Sequence, residues 1–311
     1  MNPTAPTSLA RIAYFGPQGT FSEQAARRLN ATAELVPYET IRAAMTAVRK
    51  GEADAACVPV ENSVEGPVSA TLDGLAEDDP LVAVAEALLP IVFSLLAHPD
   101  ADPRNLRTIA SHPHALAQVQ RWLEQHYPDA EHIAASSTAA AAVGVSEGQY
   151  DAAITAPVAA EHYPLRVVAT GIADVPEART RFLLLRRPGE LPEPTGHDRT
   201  SVVAVAENRT GALSELLTEL AIRGINLTRL DARPIRGSFG RYRFFFDFEG
   251  HVAEPRVGDA LAALRRRCDL RFLGSHPRAD GGRGQPGAAA SNEDFRNAAE
   301  WVESVRRGES A

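Results

Sequence analysis

The sequence predicts an α/β protein of two domains, and three observations carry that reading. From Arg11 to Leu185 short apolar runs alternate with segments of helical spacing, the pattern of an α/β domain. The stretch 187–199 holds Pro188, Gly189, Pro192, Pro194 and Gly196, too many breakers for a helix or a central strand, and reads as a linker. Beyond it the elements shorten and follow the order βαββαβ, which gives a four-stranded, ferredoxin-like sheet with both helices on one face.

In the first domain, 10–186, Ile12 to Phe15 reads as a strand with a helix starting at Phe21. Ala53 to Val60 is a strand ahead of a helix from Val68, and Thr108 to Ala110 one ahead of a helix from Pro113. In the second domain, 200–277, Ser201 to Ala206 is a strand. Gly211 to Arg223 follows as a helix with Leu213, Leu216, Leu217 and Leu220 on one face, closed by Gly224 as a left-handed cap. Ile225 to Ala232 is the next strand. In Arg241 to Glu249 the aromatics Tyr242, Phe244, Phe246 and Phe248 recur every second residue, so one sheet face is aromatic and the other mostly charged. Pro255 to Cys268 makes a helix and Leu270 to Leu273 the last strand. The tail, 278–311, opens on Gly281, Gly282, Gly284 and Gly287 and is expected to be mobile. Ser291 can cap a short amphipathic helix with Phe295, Ala299, Val302 and Val305 on one stripe, which either docks on the body or frays.

With 311 residues the chain can bury two cores, each able to fold unaided. A net charge of −8 argues against a general nucleic-acid binder, which needs a basic face. Cys57 and Cys268 offer neither CxxC spacing nor a disulfide framework, so both read as core thiols in a reducing, cytoplasmic setting. Met1 to Ala10 lacks a basic run followed by an apolar one. The most apolar stretch, Leu81 to Ala97, is interrupted by Glu86 and Pro90, so neither export nor a membrane span is expected.

The chemistry-bearing feature of the first domain is what stands between strands and helices. Gly16-Pro17-Gln18-Gly19-Thr20 follows the first strand, with Thr20 placed to cap the next helix and Glu23 to close a capping box. Small polar punctuation recurs as Glu61-Asn62-Ser63, Ser111-His112-Pro113, Ser136-Ser137-Thr138 and Thr155, each at an expected helix start. These are either ordinary caps or the lining of one cleft, where unpaired backbone N–H groups favour a small carboxylate. No Walker A, HxxxH or CxxC pattern is present, and no cofactor and no metal are expected.

Tyr14 to Ser22 (YFGPQGTFS) resembles the opening motif of prephenate dehydratases, and Pro59-Val60-Glu61-Asn62-Ser63 with Glu65-Gly66 their second. Ser111 to Gln118 (SHPHALAQ) resembles the third, and Thr180-Arg181-Phe182 the short fourth signature. Four motifs in the family's order, followed by an ACT-like domain, cover roughly Ala10 to Pro277. The resemblance implies a two-lobed catalytic domain, like the periplasmic-binding-protein fold, that turns prephenate into phenylpyruvate, water and carbon dioxide.

By the same resemblance Thr180 is placed at the departing hydroxyl, Arg181 is a carboxylate clamp and Phe182 completes the signature. Thr20, Asn62, Ser63, Ser111 and Gln118 contact substrate or shape the site, each able to cap its own helix as well, and Glu61 orients Asn62 or faces solvent. No role is assigned to His112, His114 or His162. Arogenate, which carries an amino group where prephenate has a keto oxygen, is an alternative substrate. A two-lobed sensor of a small anion or aromatic acid is the alternative without chemistry.

Asn208 to Leu213, with Gly211, Ala212 and Leu213, resembles the family's GAL motif, and Asp231-Ala232-Arg233-Pro234 stands in place of its ESRP. The resemblance implies that L-phenylalanine binds these segments between paired ACT domains of a homodimer or homotetramer. The alternative is a dimerisation module without a ligand. Asp231 and Ala232 replace Glu and Ser, a departure that bears on the effector's affinity or identity.

Overall fold

The computed structural model describes residues 9–238, 240–282 and 290–309. Contacts divide the chain into two compact units. One runs from the N-terminal side to Gly74 and resumes over Glu86–Arg187; the other comprises Leu75–Ala85 and the chain from Pro188 onward. The division thus crosses the 10–186 stretch read as one domain, because Leu75–Ala85 packs with the C-terminal elements.

The first unit contains β1 (Arg11–Phe15), α1 (Phe21–Leu29), β2 (Glu34–Tyr38), α2 (Ile41–Lys50), β3 (Ala55–Asn62) and β4 (Gly66–Pro67). α3 (Ser69–Glu77) and β5 (Val82–Pro90) are each divided between the units. There follow β6 (Ser94–Ala97), β7 (Thr108–Ser111), α4 (Pro113–Ala117), α5 (Gln120–His126), β8 (Glu131–Ala134), α6 (Thr138–Ser146), β9 (Ala152–Thr155), α7 (Ala159–His162), β10 (Arg166–Thr170) and β11 (Arg179–Arg186).

Two sheets make two lobes within this unit. In one, β1 pairs in parallel with β2 and β3, and β11 lies antiparallel to β3. In the other the order is β10-β6-β9-β7-β8, with β7 parallel to both β8 and β9. The apolar runs read as strands are buried on both faces, as parallel strands covered by helices must be: Ala55, Ala56, Cys57 and Val58 are all fully buried. Burial also pushes the Cys57 thiol well above its ordinary pKa, so it is an inert core group.

The second unit holds β12 (Asp198–Val205), α8 (Ala212–Ala221), β13 (Leu227–Pro234), β14 (Tyr242–Glu249), α9 (Pro255–Arg267), β15 (Asp269–Pro277) and α10 (Asn292–Arg306). Its strands run β13-β14-β12-β15, all antiparallel, in the expected βαββαβ order. Phe246 and Phe248 are fully buried against Leu216 and Leu220 of α8 and Val257, Ala260 and Leu264 of α9. Each such side chain contributes about 1.5–3 kcal/mol. Tyr242, at the strand's end, is exposed instead. On the opposite face Asp247 is buried, compensated by Arg229 (2.9 Å) and by the Ser201 hydroxyl (2.7 Å). Gly224 has φ 60°, as the left-handed cap requires.

α10 carries the expected Ser291 cap, reciprocated by Asp294. It docks at its start, where Asn292 donates to Glu254 at 2.8 Å, while Val302 and Val305 stay exposed. Gly284 and Gly287, on which the expected mobility of the tail partly rested, lie outside the described residues. Among the described residues no helix is long and apolar enough to cross a membrane.

Candidate active site

A cavity of the first unit, about 270 Å3, opens between its two sheets at the carboxyl ends of their parallel strands. This is where ligands enter open α/β sheets, and the size falls near the low end of small-molecule sites, about 300–1,000 Å3. Phe15 ends β1, Asn62 ends β3, His112 follows β7 and Ser136 follows β8; all four line the cavity.

Helix starts converge there. Thr20, Phe21 and Ser22 begin α1, Val68 precedes α3, His112 and His114 begin α4, and Ser137 and Thr138 begin α6. Thr20 and Ser137 cap their helices by accepting from the N–H of Glu23 (3.2 Å) and Ala140 (2.9 Å). The same residues are therefore caps and lining at once. Glu23 departs from the expected capping box. Its carboxylate accepts from the N–H of Gly19 (2.6 Å) rather than Thr20 and is held by Arg27 (2.6 Å), with His162 Nε2 at 3.2 Å. Gly16 and Gly19 are both left-handed (φ 100° and 86°), and an added Cβ would come within 2.8 Å of Thr20 Cγ2 and 3.0 Å of Ala159 Cα. Only glycine fits this turn.

Thr180 lies opposite Asn62 in the β11–β3 register. Asn62 Oδ1 accepts from the N–H groups of Val64 (2.8 Å) and Glu65 (3.0 Å), which fixes the amide the right way round. Its Nδ2 then donates to Thr180 Oγ1 at 2.8 Å. With its oxygen accepting from Asn62, the Thr180 hydroxyl is left to donate its own hydrogen elsewhere, and both side chains line the cavity.

Not every expected site residue comes to the cavity. Thr20, Asn62, Gln118, Thr180 and Phe182 do; Glu61, Ser63, Ser111 and Arg181 are absent from its lining. Strand alternation explains the fourth signature, since residues 180 and 182 share one face and 181 takes the other. Arg181, expected as a carboxylate clamp, is buried and pairs with Glu86 (3.2 Å) and Glu61 (3.3 Å). Glu61 thus meets Arg181, while the Asn62 amide accepts from the N–H groups of Val64 and Glu65. Ser63 ties the β3 turn to β11, accepting from the Arg179 N–H at 2.9 Å. Ser111, fully buried, donates to the Ile154 carbonyl at 2.6 Å across β7 and β9.

The structure also adds residues that no role was given to. Glu65 bridges from the β3–β4 turn to Gln118 Nε2 (3.3 Å) and His114 Nδ1 (3.3 Å) in the other lobe. His112 Nδ1 caps α4 by accepting from the His114 N–H (3.3 Å), and burial, with His114 nearby, keeps its pKa below the ordinary value. Ile91, Phe21 and Phe93 form an apolar wall, the two rings in edge contact at 5.7 Å. The lining holds no lysine or arginine. Among the described residues no group of three metal-ligating side chains occurs.

In the second unit, Asn208 and Gly211 are exposed before α8, with Gly211 at φ 83° as its N-cap. Ala212 is buried in the core and Leu213 packs against it. Asp231, Arg233 and Pro234 lie on β13, the end strand of the sheet, and Asp231 pairs with Arg229 at 2.6 Å.

Comparison with known proteins bears on both units. The profile of a family described as prephenate dehydratase matches residues 12–190, and that of the ACT domain residues 200–266. A prephenate dehydratase of Amycolatopsis methanolica is 68% identical, over 97% of this chain and 100% of its own. A crystal structure of prephenate dehydratase from Arthrobacter aurescens, in complex with L-Phe, superposes with TM-score 0.90 at 44% identity, covering 96% of this chain and 99% of that one. A structure described as a quorum-quenching acylase, GqqA, has TM-score 0.78 at 31% identity, over 86% of this chain and 97% of its own.

Proposed function

The chain belongs to the prephenate dehydratase family, and from this premise we propose how its cavity converts prephenate to phenylpyruvate, water and carbon dioxide. The observation that carries the reading is the Asn62–Thr180 hydrogen bond, which aims the threonine hydrogen away from Asn62. The ring of prephenate bears a hydroxyl at one end and a carboxylate at the other. As the carbon–carboxylate bond breaks, its electron pair enters the ring and expels the hydroxyl; the ring becomes aromatic, carbon dioxide leaves, and the departing oxygen takes up one proton as water. Thr180 is a poor acid in water, so its part is to donate a hydrogen bond that strengthens as the leaving oxygen gains charge.

The retained carboxylate lies against the helix starts of α1 and α6, whose N–H groups need no counter-ion. The departing carboxylate faces the apolar wall of Phe21, Ile91 and Phe93. A fixed cation there would stabilise the charge that must move into the ring, and the lining holds no lysine or arginine. Glu65 is the single carboxylate of the lining and suits an ammonium group, which favours arogenate as a second substrate. L-Phenylalanine acts as feedback inhibitor by binding at Asn208, Gly211, Ala212, Leu213, Asp231, Arg233 and Pro234 between two copies, which pair through the β13 edge.

Absorbance of phenylpyruvate in alkali after incubation with prephenate, and separately with arogenate, tests the activity. Turnover of prephenate is expected; its absence from folded protein contradicts the reading. Phenylalanine is expected to raise Tm and lower turnover of the intact chain, and Asn208→Ala to weaken both responses together. An unchanged response in that variant moves the effector elsewhere.

A further inference from the structure

The second unit has a cavity of its own, about 630 Å3, that shares no residue with the cleft or with the segments assigned to phenylalanine. Its floor is Val203 and Val205 of β12, side chains that give an apolar body something to lie on, while Leu270 of β15 packs into the core on the other face of the sheet. Around that floor stand five arginines: Arg236 and Arg241 on the β13–β14 hairpin, Arg243 on β14, Arg265 near the end of α9 and Arg271 on β15.

Two carboxylates share the lining, and each is matched by one arginine: Glu77 with Arg243 at 3.0 Å, and Asp269 with Arg265 at 3.0 Å. Arg271 donates instead to neutral carbonyls at the end of α3, of Leu75 (3.0 Å) and Asp78 (2.7 Å). Five lining residues carry a guanidinium and two a carboxylate, with Arg236 engaged as well, on a chain whose net charge is −8. Gathering like charges opposes folding, and nothing in the helix or sheet pattern demands it. The segment that carries Arg236 and Arg241 is closed by the Ile235 N–H to Arg241 carbonyl bond at 2.9 Å.

We propose that this cavity binds a small polyanion, a molecule with two or more carboxylate or phosphate groups on an apolar body. A guanidinium takes either group in a bidentate fork, and a site with several forks favours a ligand carrying more than one anion. An added Cβ at Gly240 would stand 3.1 Å from Asn208 Nδ2, so the same hairpin touches the loop assigned to phenylalanine, and occupancy is placed to alter that response.

The test is calorimetric titration of the intact protein at constant ionic strength with two probes, inorganic pyrophosphate and citrate. Saturable binding of one probe per chain is expected, at least about tenfold weaker in the Arg236→Ala/Arg241→Ala double variant, whose altered side chains are exposed. Tighter pyrophosphate identifies the natural ligand as a phosphate ester; tighter citrate identifies a polycarboxylate. No saturation with either probe, equal affinity in the folded double variant, or displacement by phenylpyruvate overturns the proposal.

Discussion

The cleft around Thr180 is lined by hydroxyls, two amides and helix starts without one lysine or arginine, whereas the cavity beside β12 carries five arginines. Both are suited to anions, and the difference follows from what each must do with them. A fixed cation binds a carboxylate equally well before and during reaction, which lowers KM without raising kcat. Where the carboxylate must leave as carbon dioxide, that cation holds charge back from the ring. A neutral donor, the part proposed for Thr180, responds instead to charge as it develops. The one arginine of the signature motifs, Arg181 on β11, is absent from the lining and tied to Glu86 and Glu61.

Predictions that break or sharpen this contrast run from the core outward. Arg181→Met leaves Glu86 buried with its arginine gone, and is expected to cost about 3–5 kcal/mol in urea unfolding with little change in KM. A raised KM at unchanged stability would restore the clamp. Thr180→Ala is expected to lower kcat about 100- to 1,000-fold with stability nearly unchanged, and Thr180→Ser to recover much of the rate. If alanine turns over at near-normal rate, the hydroxyl has no part in the chemistry. Asn62→Asp keeps the shape but puts an acceptor where an N–H donated, so the Thr180 hydrogen turns toward it; a fall in kcat of about 10- to 100-fold is expected in steady-state assays.

The smallest effect belongs to the second unit. Arg278 lowers the pKa of Asp280 from 3.8 to about 2 through a two-point contact at 2.8 Å. A depressed carboxyl contributes stability above its unfolded pKa and loses it as pH falls, here from 3.8 through about 2. The pair is partly exposed, so its contribution is below about 1 kcal/mol. Acid unfolding of Asp280→Asn followed by circular dichroism should lack that portion of the pH dependence; an unaltered profile contradicts the coupling.

Much of this was legible because caps are local. Thr20 and Ser137 announce helix starts by residue type alone, and helix starts are what converge on the cleft. The inward half of Thr180-Arg181-Phe182 was equally legible, since a strand presents alternate residues and cannot aim 180 and 181 at one ligand. Reading the motif as a block concealed that. Glu86 interrupts an apolar run and is the buried partner of Arg181, a pairing 95 residues apart that no local pattern announces. Ile91 and Phe93 reach the cleft by the path of the chain between the two sheets, and Leu75–Ala85 joins the second unit, for the same reason: both depend on long-range packing.

A crystal structure of Thr180→Ala with prephenate trapped in the cleft tests the central claim directly. The account predicts the ring hydroxyl within hydrogen-bond reach of the space left by Oγ1, with the ring carboxylate against Phe21, Ile91 and Phe93. A ring hydroxyl pointing away from residue 180, or a ring carboxylate paired with Arg181, contradicts it.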